Sequence, residues 1–209
     1  MKDLATAVLA TARAMNQRGI NRGAAGNVSA RADAGFLITP TGLDYDQIAA
    51  ADIVAMAMDG SFAGPRKPSS EWRFHRDIYE ARPQAGAIVH SHAPFATSLA
   101  CMGVRIPPFH YMIARFGGTD VRCARYATFG TQQLSDAVLE GLHERTACLM
   151  AHHGMLVVGR DLDQALALAG ELESLCEQYW RVLQIGTPLL LSEEEMARVL
   201  AKFGDYGQQ

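Results

Sequence analysis

Apolar residues first recur at helical spacing. Leu4, Val8, Ala12 and Met15 mark one face, which predicts an amphipathic helix over residues 3–18 closed near Gly19. The pattern then breaks into short runs separated by turn residues. A glycine-rich turn at 23–26 leads into a predicted strand at 27–31. Residues 36–39 and 53–56 predict two more strands, with Pro40-Thr41-Gly42 as a turn and Asp59-Gly60 as a hairpin turn. Pro68-Ser69-Ser70-Glu71 has the composition of a helix start, and Pro83 of a stop, so a helix is expected over 68–82. Strands at 87–90, 147–150 and 155–158 follow, with helices at 94–102, 132–143 and 162–183. A last helix starts after Ser192, with Glu195 as its capping partner. Helices and strands interleave, yet several strands join through short turns. That predicts one layered α/β domain over residues 1–209 with a mixed or antiparallel sheet, not a doubly wound parallel one.

Composition narrows the function classes. The chain has 209 residues, 49% apolar and 20% charged, with a net charge of −3. No Lys/Arg-rich stripe is present, so nucleic acid is not the expected partner. No run of 18 apolar residues occurs and the N-terminal stretch carries Asp3 and Arg13, so neither a membrane span nor a signal peptide is expected. Cys101, Cys123, Cys148 and Cys176 form no C-x-x-C pair, which predicts free thiols and a cytoplasmic setting.

Candidate chemistry lies in two constellations. His90-Ser91-His92 follows a strand, where residues i and i+2 point to one side, so two imidazoles can reach one ion. An H-x-H pair alone is equally an ordinary polar strand end. His152-His153-Gly154 ends a second apolar strand, and these two places hold four of the seven histidines. Three protein ligands with one open position is the arrangement of a catalytic zinc. Glu71 is either a first-turn acid favoured by the helix dipole or a carboxylate at the metal. Absence of H-E-x-x-H disfavours a zincin-type protease. Three turns rich in small donors, Gly26-Asn27, Thr41-Gly42 and Ser69-Ser70, are compatible with one phosphate pocket, although each alone is also an ordinary turn. Neither a P-loop nor a G-x-G-x-x-G is present.

Taken together, Gly26-Asn27-Val28-Ser29, Ile38-Thr39-Pro40-Thr41-Gly42, Pro68-Ser69-Ser70-Glu71, His90-Ser91-His92 and His152-His153-Gly154 resemble the class II aldolase/adducin family in order and spacing. Within it, Trp72-Arg73-Phe74-His75, His110-Tyr111-Met112-Ile113-Ala114, Tyr126-Ala127-Thr128-Phe129-Gly130-Thr131 and Lys202-Phe203-Gly204-Asp205-Tyr206-Gly207 are most similar to its fuculose-phosphate branch. The resemblance spans residues 5 to 207. It implies a three-layer α/β/α domain around a largely antiparallel sheet, and a homotetramer with its sites near subunit interfaces. It implies one Zn2+ per subunit on His90, His92, His153 and the resting Glu71, with Mn2+ or Co2+ as substitutes; His152 is not a ligand by this match. Asn27, Thr41, Gly42, Ser69 and Ser70 would bind the phosphate of a phosphorylated ketose, with Gly26 beside them. Phe129 would shape the aldehyde side. Glu71, Tyr111 acting on a neighbouring subunit, and Tyr206 in the tail would move protons. The implied reaction is cleavage of a ketose 1-phosphate such as L-fuculose 1-phosphate to dihydroxyacetone phosphate and an aldehyde. Competing readings are an aldolase for 5-methylthioribulose or 5-deoxyribulose 1-phosphate, a sugar-phosphate epimerase or decarboxylase, and a non-catalytic adducin-like assembly module, which predicts lost ligands.

Overall fold

In a computed structural model, residues 2–204 are described. Eight strands form one sheet: β1 (Asn27–Ala32), β2 (Gly35–Ile38), β3 (Val54–Ala57), β4 (Phe62–Ala63), β5 (Ala87–Ser91), β6 (Arg122–Ala124), β7 (Ala147–Met150) and β8 (Gly154–Gly159). Their order is β4-β3-β2-β1-β5-β8-β7-β6. Every neighbouring pair is antiparallel except β6 with β7, so the sheet is mixed and largely antiparallel.

Period-two alternation decides which residue faces which layer. On β5, Ala87 and Val89 join one apolar cluster and Ile88 joins the other; on β8, Met155 and Val157 oppose Leu156 and Val158 in the same way. Both faces of the central strands are therefore covered, which is why these strands read as unbroken apolar runs. The first face is covered by α1 (Lys2–Gln17), α3 (Pro94–Cys101) and α5 (Leu162–Ile185), with α6 (Glu193–Gly204) at its margin. The second is covered by α2 (Trp72–Ala81) and α4 (Gln132–Gly141). This is the three-layer α/β/α arrangement expected from the sequence.

One local expectation is corrected and further elements appear. α2 begins at Trp72, not at Pro68, because Pro68 is tied in an antiparallel bridge to Pro40 and the Trp72 amide closes a turn on the Ser69 carbonyl. The Asp59-Gly60 hairpin is present and joins β3 to β4, whose two residues are exposed; β6 was not expected, and it carries Arg122 and the half-buried Cys123. Residues 111–116 form a 3-10 helix, Tyr111–Phe116, closed by Gly117 in the left-handed region at φ 88°. The Ser192 cap is present, accepting from the Glu195 amide at 3.2 Å.

α3 starts without a side-chain cap of its own. Glu173 of α5 supplies one: its two carboxylate oxygens accept from the amides of Phe95 and Ala96, both at 2.8 Å. A buried charge satisfying two orphan helix amides is costly to remove. Glu173→Ala is expected to lower stability by about 2 kcal/mol and the melting midpoint by roughly 4–8 °C. Calorimetry checks this, and an unchanged midpoint would contradict it.

Candidate active site

β1 and β5 lie side by side with Asn27 opposite His90. Alternation turns Asn27, Ser29 and His90 toward α2, and His92 continues that side past the end of β5. β7 and β8 are joined by the short turn Ala151-His152-His153, which hangs His153 over the same place. Gly154 permits this approach: a Cβ there would lie 2.4 Å from the Ser91 carbonyl oxygen and 3.1 Å from the His92 ring. Gly26 does the same on the other side, where a Cβ would meet the His90 carbonyl oxygen at 2.4 Å.

The three imidazoles form a nearly equilateral triangle. Ring centroids are 5.1 Å apart for His90–His92, 4.8 Å for His90–His153 and 4.9 Å for His92–His153, each pair edge to face. One nitrogen from each lies within 4.8 Å of the others. His90 Nδ1 is 2.9 Å from the Met155 carbonyl oxygen, which only accepts, so Nδ1 carries the proton and Nε2 turns a lone pair inward. Glu71 reaches in from the start of α2. Its Oε2 is 3.2 Å from His90 Nε2 and its Oε1 is 3.2 Å from His153 Nε2. Its side chain makes no capping bond to its own helix; both oxygens are aimed at the imidazoles instead. Glu71 Oε1, His90 Nε2 and His92 Nε2 are buried without a hydrogen-bond partner. Lone pairs facing one another at this distance need a positive charge between them, and unsatisfied buried acceptors are costly. A cation bound by three imidazole nitrogens and a carboxylate removes the cost, so these residues fit a divalent metal.

Electrostatics agree with a ready ligand set. Burial pushes the Glu71 carboxyl up, the Asn27 amide donates to it, and positive charge placed among His90 and His153 holds it down at about 2, so with a cation at the site it is an anion at neutral pH. Burial, reinforced by the neighbouring His90, presses His92 and His153 down to about 4 and His75 to about 3, keeping all three neutral. Because these folded values lie below the ordinary 6.5, the unfolded chain takes up the protons first. The metal-free protein should thus hold its stability above about pH 6.5 and lose it as the pH falls toward 4. Melting midpoints recorded between pH 7.5 and 4.5 test this; a flat profile would refute it.

The phosphate candidates are partly gathered. Asn27 Nδ2 donates to Ser69 Oγ at 3.1 Å and to Glu71 Oε2 at 3.0 Å. The Thr41 amide donates to the Lys67 carbonyl and the Ser69 amide to the Thr39 carbonyl, so the Thr41-Gly42 and Ser69-Ser70 turns are neighbours. Thr41, Gly42 and Ser70 are exposed, while Gly26, Asn27 and Ser69 are buried. A cleft of about 280 Å³ opens over the imidazoles, lined by Ser70, Glu71, His92 and His153 together with Tyr126, Phe129 and His152. Phe129 is in place on this wall, two-thirds exposed at 67%. Tyr126 and His152 were not singled out as site residues; they meet edge to face at 5.9 Å. His152 is also one of two non-glycine residues with positive φ, at 55°, among the described residues.

Tyr111 is not brought into this cleft. It is half exposed and stacks at 6.4 Å with Phe203 of α6, in a separate groove beside Arg115 and Arg198. Tyr206 lies outside the described residues.

Residues 6–180 match the family described as the class II aldolase and adducin N-terminal domain. A 5-methylthioribulose-1-phosphate/5-deoxyribulose-1-phosphate aldolase of Rhodospirillum rubrum is 55% identical over 196 residues, covering 94% of this chain and 89% of that protein. An L-fuculose phosphate aldolase of Escherichia coli is 45% identical over 205 residues, covering 98% and 95%. A solved structure of an L-fuculose 1-phosphate aldolase matches with a TM-score of 0.93 at 35% identity, over 97% of this chain and 96% of that one. With the ligand-type residues intact and aldolases at this level of identity, the chain belongs to the class II aldolase and adducin N-terminal domain family, among its lyases.

Proposed function

We propose that this protein cleaves a ketose 1-phosphate reversibly to dihydroxyacetone phosphate and a short aldehyde. The observation that carries this reading is the convergence of His90, His92, His153 and Glu71 on one point beside the donor-rich turns. His90, His92 and His153, with the resting Glu71, would hold the divalent cation, zinc by the chemistry of the donor set. Bound there, it acts as a Lewis acid that offsets the negative charge left on the ketose oxygens when the C3–C4 bond parts. The chain's own groups do the rest. Asn27, Ser69, Ser70, Thr41 and Gly42 bind the phosphate and so place the reacting carbons beside Glu71. In condensation the ionised Glu71 takes a proton from C3 of dihydroxyacetone phosphate, and in cleavage it returns that proton to C3. The C4 hydroxyl proton must leave as the aldehyde forms; Tyr111 of a second copy is the assigned acceptor, with Tyr206 assisting. Phe129, Tyr126 and His152 would meet the aldehyde half.

The higher identity to the methylthioribulose enzyme, 55% against 45%, favours a 5-substituted or 5-deoxy pentulose phosphate over fuculose phosphate. Self-association to a homotetramer is proposed with it, supported by the apolar side chains of Ile185, at the end of α5, and Leu189, on the α5–α6 connection, which are 88% and 93% exposed. A cytoplasmic setting is proposed from the four free cysteines; no described helix is long and apolar enough to cross a membrane. The test follows dihydroxyacetone phosphate release from methylthioribulose, deoxyribulose and fuculose 1-phosphates, with and without a chelator. Release from at least one, fastest from a pentulose, and its loss on chelation are expected. Release that continues after chelation and dialysis overturns the metal reading, and no release from any of the three overturns the activity.

A further inference from the structure

Behind Glu71 lies a buried file of polar groups, of which the mechanism above uses only the Asn27 end. The Tyr79 hydroxyl is 2.8 Å from Ser29 Oγ, and Ser29 Oγ is 2.7 Å from His75 Nδ1. His75 Nε2 is 2.6 Å from Asn27 Oδ1, and Asn27 Nδ2 reaches Glu71 Oε2 and Ser69 Oγ. His75 and Ser29 are fully buried, and Tyr79 and Asn27 nearly so. His75 and Tyr79 sit one turn apart on α2, and Ser29 and Asn27 two residues apart on β1, so helix and strand each present a matched pair.

The far end sets the direction of every bond. An ionised carboxylate only accepts, so Asn27 must turn its NH2 to Glu71 and its oxygen to His75. His75 Nε2 then carries the proton and donates it to Asn27 Oδ1. His75 Nδ1 is left bare and accepts from the Ser29 hydroxyl, whose oxygen accepts from Tyr79. The opposite sense would set the Asn27 oxygen against the Glu71 carboxylate, two acceptors in a buried site.

We propose that His75 is a positioning residue: its Nε2–H locks the Asn27 amide so that one NH2 group joins the Ser69 phosphate turn to the Glu71 carboxylate. A first consequence is that Asn27 couples substrate anchoring to the proton-moving group. A second is that only the Nε2 side of the ring matters to the reaction, while the Nδ1 side serves packing.

Two polar variants separate these sides. His75→Gln places an amide near the Nε2 position and can still donate to Asn27. His75→Asn ends near the Nδ1 position, reaches Ser29 and falls short of Asn27. Each is measured for kcat/KM on the ketose phosphate cleaved, and, loaded with Co2+, for its visible absorption spectrum. The kinetic half rests on the aldolase reading; the cobalt spectrum does not depend on turnover. The Asn variant is expected to lose tenfold or more in kcat/KM and to show an altered cobalt spectrum. The Gln variant is expected to stay within threefold of the parent with the parent's spectrum. Equal behaviour of the two variants, or the reverse order, overturns the proposal. If the parent protein cleaves none of the ketose phosphates, the activity reading fails and the spectra alone decide: different for Asn and unchanged for Gln supports the role of His75, and the same for both ends it.

Discussion

Glu71→Gln is expected to keep its cation and lose turnover by a factor of 10² to 10⁴, the range a positioned acid–base group contributes. The amide has almost the shape of the carboxylate, so the α2 start and the neighbouring Asn27 contact can persist. What it lacks is a carboxylate oxygen that can take up and return a proton. In the parent, positive charge held among the imidazoles keeps the carboxylate ionised against its burial, and that anion is the base the condensation direction needs. Metal content by mass spectrometry and kcat by coupled assay give the two readouts. A variant with near-parental kcat would remove Glu71 from the chemistry.

The second large effect is loss of the cation in His92→Ala. His92 is the imidazole to remove first, because it is half buried at the mouth of the cleft, whereas His90 is fully buried in β5 and its loss would also disturb the core. Dropping one of three neutral nitrogen ligands should weaken binding by about 100-fold or more. After dialysis the variant should carry little metal and melt where the metal-free parent melts. Full occupancy after the same treatment would reject His92 as a ligand.

Much of the fold was readable because the central strands are enclosed on both faces. An unbroken apolar run such as Ala147–Met150 has one reading once its length rules out a helix. Where burial is partial the signal fades: Phe62-Ala63 is exposed and Arg122-Cys123-Ala124 is mixed, and both pair only because the sheet offers them a border. The start of α2 lies four residues later than the capping chemistry of Pro68-Ser69-Ser70 suggests, because Pro68 bridges to Pro40 and the Ser69 carbonyl closes a turn on the Trp72 amide. In the site, the i, i+2 histidines were legible from strand geometry, and His153 from its place after a second strand. Glu71 was ambiguous, since a helix-start acid and a buried site carboxylate look alike in one dimension. The Ser29–His75–Tyr79 file gave no signal, because its members are ordinary residues until β1 lies under α2. Tyr111 marks a different limit: in this chain it faces a groove beside α6, and one sequence says nothing of what a second copy brings.

The sheet ends on very short strands, two residues at β4 and three at β6. An open border of that size exposes too few main-chain donors and acceptors to template an added strand from another molecule. Both margins are therefore poor starting points for ladder growth of the amyloid kind.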